Sequence, residues 1–273
     1  MQVPAPFDYA RASSVDDALG LLERLGPEAR LVAGGHSLLP MMKLRLAVPD
    51  ALIDIGGIAS LRGITDTTDS ITIGALTTHA QVAGSDVVSR GCPILAETAA
   101  GIGDSQVRNR GTIGGSLANA DPHGDLPAVF LALEGEVTAE GPNGERTIAA
   151  ADLFVDYLQT SLSADEILTA VRVPKAARSA YVKFNRRAQD WAVVGAAAVV
   201  EGSSARIALT GVAATPVRAK AAETAFSGGN AAEAAEHAAE GLDPPSDTAA
   251  SGEYRAHLAK VLVRRALEAA LAR

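Results

Sequence analysis

Two glycine pairs, in segments that also carry hydroxyl side chains, restrict most strongly what this chain can fold into. Gly34-Gly35 end a predicted strand and precede a predicted helix, and Gly114-Gly115 lie between Thr112 and Ser116. Glycine permits positive φ and a close approach of the backbone to a ligand, while the first turn of a helix leaves N–H groups without partners. Such groups bind phosphate. Two of these loops in one domain predict a dinucleotide site.

The common nucleotide-binding fingerprints do not match either loop. Neither has the G-x-G-x-x-G spacing of a Rossmann fold or the G-K-[ST] ending of a P-loop. Nicotinamide or ATP binding by those routes is therefore disfavoured. A glycine pair alone is more often a plain turn, so the two loops need support from the rest of the chain.

The pattern around the loops is mixed α and β up to Pro174, which ends a predicted strand. Ser13 or Ser14 is a suitable N-cap for the first helix. The predicted elements of this part are helices at 14–25, 77–82 and 93–100, with strands at 29–33, 51–55, 70–78 and 167–173.

The composition changes after Pro174. Three β-like runs, AYVKFNRRA, AVVGAAAVVE and ARIALTGVAA, follow one another between residues 179 and 213 and suit an antiparallel meander. Helices are predicted near 231–240 and 252–272. The sequence therefore predicts an α+β protein with domains at 1–176 and 177–273.

Composition and charge exclude several function classes. The apolar run at 192–200 is far shorter than the roughly 20 residues that cross a bilayer, and the N-terminus has no signal-peptide pattern. We therefore expect a cytoplasmic protein without a transmembrane segment. The net charge of −8 disfavours nucleic acid as a partner. The single cysteine, Cys92, cannot supply the four thiolates that an iron–sulfur cluster usually takes, so a cluster would need another chain.

Histidines and acids near the loops could suggest a metal site; they are His36, His79, Asp121, His123 and Asp125. The segment from His123 to Asp125 lacks a familiar ligand spacing and follows an Asp-Pro turn. Ser37 follows His36, but no G-x-S-x-G elbow surrounds it. We predict neither a metal ion nor a catalytic residue in this chain.

The amino-acid sequences of both loops are specific enough to indicate a family. AGGHSLLPMMKLR and TIGGSLANADPHGDLPA, in this order, closely resemble the paired flavin motifs of the medium subunits of carbon monoxide dehydrogenase and related molybdenum hydroxylases. ITIGALTTHAQV, GDSQVRNRGTIGG and RRAQDWAVVGAAAVV resemble the same family, so the resemblance covers nearly the whole chain. It implies a two-part FAD domain of the vanillyl-alcohol oxidase type and a C-terminal domain with a three-stranded antiparallel sheet.

The resemblance also implies which residues hold the cofactor. The first pyrophosphate loop corresponds to Ala33, Gly34, Gly35, His36, Ser37 and Leu38, and the second to Thr112, Ile113, Gly114, Gly115 and Ser116. Asp125 matches an acidic FAD contact. Leu162 and Lys183 match neighbours of the flavin ring, and Trp191 lies where an aromatic residue accompanies the isoalloxazine.

The function implied by the resemblance is electron transfer. A large molybdenum subunit would oxidise the substrate, a small subunit would carry [2Fe–2S] clusters, and FAD on this chain would pass electrons to quinone or NAD. We expect a dimer of heterotrimers in the cytoplasm or at the inner face of the membrane, with carbon monoxide as the favoured substrate. The alternatives are a stand-alone FAD-dependent oxidoreductase and a nucleotide-binding or scaffold module without redox turnover.

Overall fold

The computed structural model describes residues 3–227 and 229–273. The strands within these residues are β1 (Asp8–Arg11), β2 (Ala29–Val32), β3 (Ala51–Asp54), β4 (Ile64–Asp66), β5 (Ser70–Gly74), β6 (Glu136–Gly141), β7 (Gly144–Ala149), β8 (Phe154–Asp156), β9 (Gln159–Thr160), β10 (Ile167–Pro174), β11 (Ser179–Phe184), β12 (Val194–Glu201), β13 (Ser204–Thr210) and β14 (Val217–Arg218). The helices are α1 (Val15–Leu25), α2 (Leu38–Lys43), α3 (His79–Ala83), α4 (Asp86–Gly91), α5 (Pro93–Ala100), α6 (Ser105–Arg110), α7 (Ile113–Asn119), α8 (Asp125–Ala132), α9 (Ala150–Leu153), α10 (Lys220–Ala225), α11 (Ala231–Glu236) and α12 (Gly252–Leu271). A 3₁₀ helix spans Ala59–Leu61.

The N-terminal sheet is parallel, with strand order β1-β3-β2. Helix α1 connects its two edge strands and buries Ala18, Leu21 and Leu22. Its N-cap is Ser14, whose hydroxyl accepts a hydrogen bond from the Asp17 N–H at 3.1 Å, as expected for this cap. Because β2 ends at Val32, the chain leaves the sheet directly into the first glycine loop.

A second sheet is antiparallel, with strand order β4-β5-β10-β6-β7. Its central strand β10 comes from far along the chain and pairs with both β5 and β6. The apolar side chains of α3, α5, α7 and α8 belong to the same buried cluster as those of this sheet. The helices that flank the second glycine loop are therefore fixed by a large core.

The third sheet is an antiparallel meander in the order β11-β12-β13-β14, and α12 packs against β11 and β12. Strand β12 is buried on both faces except at Glu201. Ala197 and Val199 join the cluster around α8, whereas Ala196 and Ala198 join the cluster around α12. Small apolar residues on both faces thus let one strand lie between two helical layers.

Most sequence expectations for the fold are confirmed. The meander has the three predicted strands, and the two-residue β14 extends it to four. Helix α11 ends at Glu236, short of the predicted 240. The division at residue 176 stays a prediction. Among the described residues, no helix combines the length and apolar character needed to cross a membrane.

Candidate functional site

The structure brings the two predicted glycine loops together. A methyl group on Gly34 would lie 2.2 Å from the carbonyl oxygen of Arg110 and 3.0 Å from Cα of Gly111. The first loop therefore rests on the backbone that leads into the second loop. Only glycine permits this distance, because the neighbouring atoms belong to the main chain.

The first loop offers unpaired donors. Among the described residues, the backbone N–H groups of Gly34, Gly35, His36 and Ser37 donate no hydrogen bond to another protein group. Gly35 has φ of 77°, and the side chains of His36 and Ser37 are exposed. Successive free amides with a glycine in the left-handed region form a concave site for an anion. This is the geometry that a pyrophosphate requires.

The second loop is built differently. Thr112 caps α7 by accepting a hydrogen bond from the Gly115 N–H at 3.1 Å, and Gly114 donates to the Ala75 carbonyl at 2.9 Å. A methyl on Gly114 would lie 2.5 Å from Cβ and 2.8 Å from Cα of Ala75, whereas one on Gly115 would meet only the Thr112 side chain. Gly114 is therefore needed for packing, and the space for a ligand lies at Gly115 and the half-buried Ser116.

Replacing these two glycines should separate folding from ligand binding. We expect Gly114→Ala to lower the free energy of unfolding by about 1–3 kcal/mol because the added methyl overpacks against the main chain of Ala75. Gly115→Ala should cost no more than about 1 kcal/mol, because its methyl would lie 2.7 Å from Oγ1 of Thr112 and disturb only that cap, and the variant should lose bound flavin. Urea denaturation and the flavin-to-protein absorbance ratio measure the two effects. Equal loss of stability in both variants would contradict the assignment.

His79 lies beneath the contact between the loops. A methyl on Gly111 would lie 2.8 Å from its Cδ2 atom, and the imidazole is 5% exposed. Burial, with a smaller electrostatic contribution from the nearby His36, lowers the pKa of His79 to about 4. Its Nδ1 atom has no hydrogen-bond partner among the described residues. The neutral ring therefore serves as packing between the loops.

Acid should destabilise the chain through His79. The folded-state pKa of about 4 lies below the ordinary value of 6.5, so the neutral form contributes stability above pH 6.5 that is lost as the pH falls towards 4. The loss at pH 4 should reach about 3 kcal/mol. Urea titrations across this range should show the slope, and His79→Phe should flatten it. His257→Gln, at an exposed histidine, is the control and should retain the wild-type slope.

Asp125, at the start of α8, forms a buried cluster with two residues of β11. Its Oδ1 accepts a hydrogen bond from the Tyr181 hydroxyl at 2.6 Å, and its Oδ2 contacts Nζ of Lys183 at 2.6 Å. Burial raises the pKa of Asp125, and the Lys183 ammonium opposes that rise. Both carboxylate oxygens thus have protein partners. A direct contact of Asp125 with the cofactor stays a prediction.

An open cleft of about 300 Å³ lies beside Lys183 and is lined by residues 103, 104, 107 and 187–190. Nζ of Lys183 donates to the Gly101 carbonyl at 3.3 Å and lies 3.5 Å from the Asp190 carbonyl. Trp191 follows this cleft with 64% of its surface exposed. Leu162 is half-buried and packs on the main core. Lys183 therefore contacts Asp190, a residue that lines the cleft, and Trp191 is the next residue along the chain, while Leu162 belongs to the main core.

Sequence reasoning missed Tyr181 and the packing role of His79. Tyr181 and Lys183 are two residues apart on β11, so their side chains share one face of the strand. This two-residue spacing in the sequence is the signal that could have identified Tyr181 as a site residue. No local signal in the sequence separates Gly114 from Gly115, because the neighbour that distinguishes them, Ala75, is distant along the chain.

The site fits FAD. The free amides at 34–37 suit a pyrophosphate. Gly34 and Gly114 let the chain pack closely around the two loops, because a methyl group at either position would clash with main-chain atoms. Trp191, which follows the last residue of the cleft along the chain, offers an exposed aromatic surface for a planar ring.

Known proteins agree with this geometry. The family model described as the FAD binding domain in molybdopterin dehydrogenase matches residues 5–176, and that of the CO dehydrogenase flavoprotein C-terminal domain matches residues 179–270. The chain is 42% identical to the carbon monoxide dehydrogenase medium chain of Hydrogenophaga pseudoflava over 99% of both chains. It is 40% identical to the 6-hydroxypseudooxynicotine dehydrogenase complex subunit alpha of Paenarthrobacter nicotinovorans, over 99% of this chain and 96% of the relative.

A solved structure extends the likeness to the fold. The carbon monoxide dehydrogenase of Hydrogenophaga pseudoflava that lacks the Mo-pyranopterin moiety of its cofactor contains a chain with a TM-score of 0.95 and 44% identity, over 99% of both chains. Family models cover most of this chain, and the relatives match it over nearly their full length. The chain therefore belongs to the FAD-binding medium subunits of the molybdenum hydroxylase family.

Proposed function

We propose that this chain is the electron-transfer subunit that connects an iron–sulfur partner to an external acceptor, quinone or NAD. The observation that carries the proposal is the row of four unpaired amides at 34–37 against the second glycine loop. When bound, FAD supplies both one-electron and two-electron transfer. The protein's own residues bind the pyrophosphate, and Lys183 and Trp191 orient the ring at the cleft.

The partners belong to the same proposal. They are a small subunit with [2Fe–2S] clusters and a large subunit with the molybdenum cofactor, assembled as a dimer of heterotrimers. The relatives are named as chains of complexes, which supports an assembly. The single cysteine of this chain is buried, and burial raises the pKa of the Cys92 thiol to about 12. A cluster therefore needs thiolates from another chain. The predicted place of the complex is the cytoplasm, or the inner face of the membrane.

Carbon monoxide is the first candidate substrate of the complex, because medium chains of carbon monoxide dehydrogenases are among its most similar relatives. A nicotine derivative is the second candidate, since the relative from the 6-hydroxypseudooxynicotine dehydrogenase complex is 40% identical, close to the 42% of the first. The residues that choose the substrate would lie on the large subunit. This chain contributes the same flavin site in both cases.

The test is to purify the chain from its native host under mild conditions and to identify its companions by mass spectrometry. Flavin and iron–sulfur absorption with two partner chains, and bleaching of the flavin band by carbon monoxide under anaerobic conditions, would support the first candidate. Bleaching only by a nicotine derivative would select the second. Flavin on a solitary chain with its own turnover would overturn the proposal in favour of a stand-alone oxidoreductase. Absence of flavin would contradict the site.

A further inference from the structure

Trp191 combines an exposed side chain with a tightly held backbone. It is the only tryptophan, and 64% of its surface is exposed, while the adjacent Ala192 is buried. The turn before it contains Gln189 with φ of 69°, a left-handed conformation that is uncommon for a residue with a side chain. An exposed aromatic residue on an ordinary surface turn needs no such conformation.

Three side chains hold the main-chain carbonyls on either side of Trp191. Nζ of Lys183 lies 3.5 Å from the Asp190 oxygen, Nδ1 of His123 lies 3.0 Å from the Ala192 oxygen, and Nη1 of Arg255 lies 2.5 Å from the Val193 oxygen. Because a carbonyl only accepts, the His123 ring carries its hydrogen on Nδ1. The three side chains come from β11, from the turn before α8, and from α12.

Arg255 is the strongest of the three contacts. Arg255 is fully buried in the first turns of α12, and its Nη1 also donates to the Gly211 carbonyl at 3.0 Å. Nη2 pairs with Asp247 at 2.7 Å. A buried guanidinium is retained only where its charge is compensated by acceptors. Here two of those acceptors are main-chain oxygens, one of them two residues after Trp191.

The turn between α7 and α8 also contacts the segment that carries Trp191. His123 reaches the segment directly, and Asp125 reaches it through Lys183. Pro122 accepts from the Gly211 N–H at 2.8 Å, next to the carbonyl that Arg255 holds. The segment that carries Trp191 is therefore tied to the same turn that follows the second glycine loop.

We propose that His123, Lys183 and Arg255 are positioning residues that hold Trp191 as a rigid platform for a planar ligand, with Arg255 as the principal one. A platform ordered before binding does not lose conformational freedom when the ligand stacks on it. The identity of that ligand as the flavin ring rests on the proposed function. The ordering of the backbone that places Trp191 does not, because it follows from contacts within the chain.

The test uses Trp191 fluorescence in the full chain, first without FAD and then in the purified assembly. Arg255→Met should add a fast depolarisation component to Trp191 fluorescence, because nanosecond motion of the freed turn becomes possible. Iodide quenching should rise by up to about 1.5-fold, since 64% of the residue is exposed already. FAD affinity should fall about tenfold, because part of the binding free energy would then be spent on ordering the turn that carries Trp191. His123→Phe should show the same changes in milder form and serves if Arg255→Met fails to fold.

Arg206→Met is the matched control. Arg206 also donates to a main-chain carbonyl, that of Ala132 at 3.0 Å, and pairs with Glu201, yet it contacts no residue of the Trp191 segment. It should lose stability without altering Trp191 fluorescence. Unchanged anisotropy and quenching in both Arg255→Met and His123→Phe would overturn the platform. Increased quenching and faster depolarisation of Trp191, together with wild-type FAD affinity, would overturn the role of the platform in flavin binding. A wild-type assembly without FAD would refute the proposed function and leave the fluorescence comparison decisive for the platform.

Discussion

Gly34→Ala should release FAD from the chain and lower its stability together. The added methyl would lie 2.2 Å from the Arg110 oxygen and 2.8 Å from its carbonyl carbon, and neither atom can rotate away. The two loops must then separate, which displaces the free amides from the second loop. We expect a loss of about 2–3 kcal/mol in the free energy of unfolding, and flavin content near zero by absorbance after gel filtration.

Gly20→Ala provides the control. Gly20 lies inside α1, and no atom lies within 4 Å of the position its methyl would take. Alanine is the better helix former by about 1 kcal/mol, so this variant should be more stable than wild type and keep its flavin. A Gly34→Ala chain with full flavin occupancy would show that the contact between the loops does not build the site.

Lys183→Met should be the most destabilising of the charge changes. The pair of Lys183 with Asp125 is buried, with side-chain exposures of 15% and 7%. Removing one partner of such a pair leaves an uncompensated charge and costs about 3–5 kcal/mol. Because burial already raises the pKa of Asp125, the carboxyl of the variant can take up a proton in acid. The loss measured by urea denaturation should therefore shrink as the pH falls.

The double variant isolates the pair. Asp125→Asn with Lys183→Met removes both charges and should recover part of the stability that either single variant loses. Lys260→Met breaks an exposed ion pair with Glu236 and should leave the denaturation curve unchanged. A loss in Lys183→Met no larger than that of Lys260→Met, at every pH, would mean that water reaches the Asp125 cluster.

Local patterns in the sequence predict a large part of this fold. The apolar spacing and Ser14 cap of α1, the stop at Pro174 and the alternating runs of the meander depend on neighbours close in the chain. The hairpin of β6 and β7 was not predicted, although its turn, Pro142 and Asn143 followed by Gly144 with φ of 94°, is a hairpin signal. That error lay in the interpretation, since the information is local.

Other features of the site are not local. The glycine loops are recognisable by their wording, but only the tertiary structure shows that Gly34 touches Arg110 and that Gly114 touches Ala75. Arg255 reads as a surface residue of an amphipathic helix, because the carbonyls it holds are 44 and 62 residues away. Helical periodicity and capping residues indicate local structure and do not predict a contact between residues so far apart along the chain.

The burial of β12 on both faces has a consequence for how such chains can be recombined. Ala197 and Val199 fill the layer of the flavin part, and Ala196 and Ala198 fill the layer under α12. A C-terminal part taken from a relative would therefore place its own β12 side chains in the core of the host's flavin part. Chimaeras joined near residue 176 must match β12 to the host's α8, so these two parts have to change together even though their family models are separate.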